Sequence, residues 1–177
     1  MKYIIYIIFI LLLLAFNTEL ASMLIGTPFR INLLLFPAVF AALEKKDRDF
    51  LFLAILGGLF LDSYNAAPFG SFTVSFLLAA SILNWAVKNF WIYEPNLKLL
   101  VLSVLFSFFA IEILVRLLAI FLPTREFVVG FSVFSNFFPA VLYASLLHLV
   151  LAFPVYGLWQ LVRRILESME TKRIILK

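Results

Sequence analysis

The chain has 177 residues, is 65% hydrophobic, contains 22 Phe and no Cys, and carries a formal net charge of +4. Globular chains run at roughly 45–50% apolar. A soluble core of this size cannot hide the excess, and a mean hydropathy of +1.12 makes lipid the expected solvent for most of the chain. The lack of cysteine excludes disulfides, thiolate catalysis and sulfur-ligated metals, and the lack of strand-like alternation argues against a membrane barrel.

Apolar segments recur along the sequence, and six of them read as membrane-spanning helices in one domain, 1–177. The first covers about 3–20. It follows Met1-Lys2 and so has the look of a signal peptide. The small-residue cleavage signal around Glu19-Leu20-Ala21-Ser22 is weak, and the expectation is an uncleaved helix. The second covers about 31–43, is short, and is shaped by Pro28 and Pro37. The third, about 49–62, is also short and ends on Asp62. The fourth covers 70–90 and the fifth 97–122. The sixth, 132–161, is over-long and contains Pro139 and Pro154, which predicts a kink or an interfacial extension. A tail, 162–177, follows and reads as a helix along the membrane face, serving as a stop-transfer anchor or docking on lipid or a partner.

Charge sets the orientation. With the N-terminus in the cytoplasm, Lys2, Lys45, Lys46, Arg48, Lys88, Lys98, Arg163, Arg164, Lys172, Arg173 and Lys177 all fall inside. Only Arg30 and Arg125 fall outside, and Arg116 stays within a span. This asymmetry predicts that both termini are cytoplasmic and that the positive charge marks topology, not nucleic-acid binding. Glu44, Asp47, Asp49 and Glu94 sit among these basic residues and read as solvated loop charges.

The remaining polar groups lie inside the spans. A charged side chain at mid-bilayer costs at least about 2.5–3.5 kcal/mol, so Asp62 must lie near the headgroups or be held by protein. Glu112 and Arg116 are one helical turn apart on span five, with the acid N-terminal, the better order for an ion pair. Asp62 and Asn136 fall at a similar depth, and a buried network of Asp62, Glu112, Arg116 and Asn136 is expected. It would serve either as a binding or coupling site or as a peg that fixes helix packing. Asn84 and His148 read as isolated hydrogen-bonding groups between helices. No phosphate loop, nucleophile–base pair or metal-ligand spacing is present, so no catalytic residue, cofactor or metal is expected.

One stretch carries a specific pattern: Gly58-Leu-Phe-Leu-Asp62, then Pro68-Phe-Gly70. A glycine one turn before an aspartate, followed by proline and glycine six and eight positions later, resembles the rod shape-determining MreD family. An Asn-x-x-Pro element (Asn136, Pro139), the chain length and the short second and third spans joined by a charged hinge agree with it. Arg116 fits no family motif. The resemblance implies a non-catalytic inner-membrane subunit of the bacterial cell-elongation machinery, supporting rod shape and lateral peptidoglycan synthesis. Its implied partners are MreC, RodA with a class B penicillin-binding protein, and, indirectly, MreB filaments. The implied fold is an all-α bundle similar to the S components of energy-coupling-factor transporters. A vitamin-type substrate-binding subunit is therefore the alternative function. The Ala-x-x-x-Ala spacing that such a subunit would carry on its first helix falls here at Ala38 and Ala42, on span two.

Overall fold

The structure is a computed structural model that describes residues 2–23, 32–44, 47–64, 68–90, 97–121 and 137–175. Among the described residues all regular structure is helical: α1 (Lys2–Met23), α2 (Leu35–Leu43), α3 (Asp47–Tyr64), α4 (Ser71–Phe90), α5 (Leu97–Phe121) and α6 (Phe137–Ile175). Four of these are long and apolar enough to cross a membrane, over Lys2–Leu20, Ser71–Asn89, Lys98–Val115 and Leu142–Met169. The chain is thus a multi-pass helical protein by its apolar helices.

Each long helix buries one face and exposes an equally apolar one. On α1, Tyr6, Phe9, Ile10 and Leu13 point into the core, while Ile4, Ile8, Leu12 and Phe16 are exposed. A soluble protein keeps its contiguous apolar patches to a few hundred Å². Outward faces of this kind on α1, α4, α5 and α6 are suited to acyl chains.

The centre of the bundle is its shortest helix. α2 has nine residues, about 13 Å at 1.5 Å per residue. Every one of them is buried, against α3, α4, α5 and α6. The sequence Leu-Phe-Pro-Ala-Val-Phe-Ala-Ala-Leu is apolar all round, as a wholly enclosed helix must be. Pro37 lies in its first turn, where a missing N–H breaks no helical bond. The helix starts four residues later than the apolar run because Asn32–Leu34 forms a turn, with Leu35 N and Phe36 N donating to Asn32 O and Leu33 O at 3.2 Å each.

The glycines of α3 set the closest approaches. A Cβ on Gly57 would lie 2.9 Å from the Leu34 carbonyl oxygen, and one on Gly58 would run into the Thr73 backbone. The α4 end of this hairpin is a β-turn in which Ser71 N donates to Pro68 O at 3.0 Å. Its third residue, Gly70, has φ +93°, a conformation that a side chain strains.

α6 is a single helix of 39 residues, about 58 Å long. Its described part begins at Phe137, and residues 132–136 of the expected span lie outside the described set. Pro139 occupies its first turn, Pro154 its interior, and the helix continues through Arg163 to Ile175. The tail, expected to be helical, continues the same helix as far as Ile175. Past Leu161 the residues turn from apolar to charged, but none of them breaks a helix.

Gly58→Ala should destabilise the purified protein by about 1–3 kcal/mol, the range for overpacking. Gly157→Ala meets open space and should gain about 0.5–1 kcal/mol from lower backbone entropy. Thermal unfolding of both variants in detergent checks this pair.

Candidate functional site

Asp62 is buried at the end of α3 and faces the first turn of α4. Its Oδ1 accepts from Phe72 N at 2.8 Å. Its Oδ2 accepts from Thr73 N at 3.1 Å and from Thr73 Oγ1 at 2.6 Å. A helix begins with four backbone N–H groups that its own turns cannot satisfy. Here Ser71 N bonds Pro68 O, Phe72 N and Thr73 N bond Asp62, and Val74 N bonds Gly70 O at 2.9 Å. All four N–H groups at the α4 start are thus bonded, and the negative group sits where the helix dipole favours it. Gly58, one turn earlier, lets the α4 backbone come close enough for these bonds. Gly58, Asp62, Pro68 and Gly70 thus meet at one junction.

The rest of the expected network is described only in part. Glu112 is half-buried on α5, and Arg116 follows one turn later. The Arg116 side chain and all of Asn136 lie outside the described residues. Every described contact of the Asp62 carboxylate is with α4, so its two oxygens already serve three donors.

A second constellation holds the N-terminal end of α2. Leu33 N donates to Asn17 Oδ1 on α1 at 3.0 Å. Asn32 N donates to His148 Nε2 on α6 at 2.9 Å. The other ring nitrogen, Nδ1, lies 2.7 Å from Ala144 O. Since Nε2 must accept, Nδ1 carries the proton and donates to that carbonyl. The ring is fully enclosed, 4.3 Å centroid to centroid from Phe108 and 6.0 Å from Phe36. His148 therefore joins α6 to the turn that feeds α2.

The opposite end of α2 carries a polar layer that contradicts the reading of Glu44 and Asp49 as solvated. Asp49 is only 4% exposed. It pairs with Lys2 at 2.6 Å and accepts from the Tyr6 hydroxyl at 2.9 Å. Glu44 Oε1 accepts from Trp159 Nε1 at 2.9 Å and from Arg163 at 3.4 Å, and Arg163 Nε also donates to Glu167 at 2.7 Å. Beneath this layer Tyr6 stacks on Trp159 at 5.8 Å and 14°, with Phe9 and Phe40 tilted against the same indole. The starts of α1 and α3, the end of α2 and the middle of α6 are clamped together. The residues looked solvated because they are neighbours in a charged loop, while their partners are far away in sequence. The available signal was Tyr6 and Trp159, whose polar tips need partners when buried.

The α4 and α5 helices pack against each other, and both bury small polar residues. Ser71, Ser75, Ser103 and Ser107 are buried, in two pairs each spaced by one turn, and their hydroxyls have no hydrogen-bond partner among the described residues. Small side chains in such rows let helix backbones approach within a membrane. Among the described residues no three His, Asp or Glu side chains gather as a metal cage would require. The described polar groups of the two α2 ends and the α3–α4 junction cap helices and clamp them. Comparison with protein-family models, curated proteins and solved structures finds no match.

Three substitutions probe this chemistry. Asp62→Ala leaves two first-turn N–H groups without an acceptor and should cost about 2–4 kcal/mol, summing a lost cap and buried unpaired donors. Asp62→Asn, which keeps one acceptor oxygen, should cost less, and the two melting temperatures rank them. His148→Phe fills the same space without accepting from Asn32 N and should cost about 1–3 kcal/mol in the same assay.

Proposed function

We propose that this chain is a non-catalytic scaffold of the MreD type in the bacterial inner membrane, holding partner membrane proteins of the cell-elongation machinery. The observation that carries the reading is the α3–α4 junction. Gly58, Asp62, Pro68 and Gly70, the four positions of the family-like pattern, act together there on one helix start. A motif with a common physical task is better support than four scattered matches.

Two further observations favour a scaffold. The described acids of the α2 ends and the hairpin, Glu44, Asp49 and Asp62, are all engaged in capping or clamping. The surface left for function is the apolar flank of the long helices. Lys2, Glu44, Asp49 and Arg163 also meet at one end of the bundle, the end that the charge asymmetry assigns to the cytoplasm. On this reading six helices cross in an S-component-like bundle, with α2 and α3 as its short members and both termini inside. MreC is the primary partner, and RodA with a class B penicillin-binding protein and, indirectly, MreB filaments complete the assembly.

Affinity purification from bacterial membranes should recover an MreC-type protein in stoichiometric amount, with RodA-type protein in lower yield. Recovery of a tightly bound vitamin or other metabolite, and of neither partner, would instead assign the chain to small-molecule transport.

A further inference from the structure

The outward stripe of α6 contains a backbone defect that lipid cannot repair. Leu146, Val150 and Leu161 are 57%, 65% and 56% exposed, and Pro154, Gly157 and Arg164 are exposed on the same side. Successive members are three or four residues apart, so they form one line along the helix. Pro154 has no N–H, and the Val150 carbonyl one turn earlier loses its helical donor. That carbonyl opens along the ridge from Val150 to Pro154, and both residues face outward. Val150 lies midway between the helix start at Phe137 and Arg163, which places the carbonyl deep in the hydrocarbon layer. Acyl chains donate no hydrogen bonds, and an unbonded carbonyl there is costly. The Ser or Thr of α6 nearest in sequence to Val150 is Ser145, whose Oγ already donates to Leu142 O. Next to the defect, Gly157 leaves a notch where a Cβ would meet nothing within 4 Å.

We propose that this stripe is the docking face for a transmembrane helix of a different protein, one bearing a Ser or Thr hydroxyl at mid-membrane for the Val150 carbonyl. The partner helix also carries a carboxylate facing Arg164, about 21 Å along the axis from Val150. A second copy of this chain does not fit. Parallel α6 helices at equal height would set Arg164 against Arg164 and bring no hydroxyl to the level of Val150. The notch at Gly157 admits the partner backbone, and close approach is what a bond to a main-chain carbonyl requires. The inference rests on the scaffold reading and names the face that the scaffold uses.

The test uses the full chain co-expressed with the MreC-type partner in bacterial membranes, with a photo-reactive amino acid at position 150 of an otherwise unchanged protein. The expected result is a cross-link to a transmembrane segment of that partner. Gly157→Ile and Arg164→Glu should each reduce partner recovery at least tenfold at equal expression, and lysine in place of the facing partner carboxylate should rescue Arg164→Glu. Pro154→Ala restores the missing N–H. It should raise the melting temperature of the isolated chain while lowering partner recovery. Leu78→Phe, on the exposed face of α4, should leave recovery unchanged. Undiminished recovery by both Gly157→Ile and Arg164→Glu overturns the α6 assignment and leaves the scaffold reading standing. Cross-links only to lipid or to a second copy overturn it likewise. Failure of the unaltered chain to recover the partner overturns both.

Discussion

A helix of nine residues enclosed on every side cannot turn to water or lipid for the hydrogen bonds its ends lack. α2 is in that position, and most of the polar chemistry described in the bundle answers it. Asn17 of α1 and His148 of α6 take the amides of the turn that leads in. Glu44, just past its last residue, closes the other end against Trp159 and Arg163 of α6. The same α6 helix thus reaches both ends of α2, and α1 is drawn in because its asparagine completes the upper cap. The long helices are positioned by what the short one needs.

The α3–α4 hairpin solves the same problem by a separate route. Its acceptor is a carboxylate instead of a neutral amide or imidazole, and it satisfies amides of a helix one turn of chain away in space. Gly58 and Gly57 serve different neighbours, one the start of α4 and the other the turn before α2. The hairpin is thereby packed on the central helix as well as closed on itself. A shift of α3 by a fraction of a turn would disturb both contacts at once.

What the sequence made legible was local. Gly58, Asp62, Pro68 and Gly70 fall within thirteen residues, and turn geometry and helix-start chemistry act over such distances, so their grouping could be read directly. Long apolar runs gave α1, α4 and α5 with boundaries shifted by few residues. The α2 ends were not legible, because Leu33 bonds a residue 16 positions away and Tyr6, Glu44 and Asn32 bond residues 43, 115 and 116 positions away. No periodicity records such pairings. Asp49 misled for the same reason: a carboxylate amid lysines and arginines looks hydrated until the fold brings Tyr6 over it. Residue 161 marks the change from apolar to charged residues, and the helical tail expected after it was legible because none of those residues breaks the backbone bonds that run on to Ile175.

The cap on Asn32 has a consequence for biosynthesis. His148 is made 116 residues after the amide it accepts from, which at 5–20 residues per second is a delay on the order of ten seconds. By the end of that interval the ribosome has delivered the first five helices, but the central one still lacks an acceptor. Closure of the bundle around α2 therefore waits for α6, and a chain truncated before α6 would leave its innermost helix uncapped.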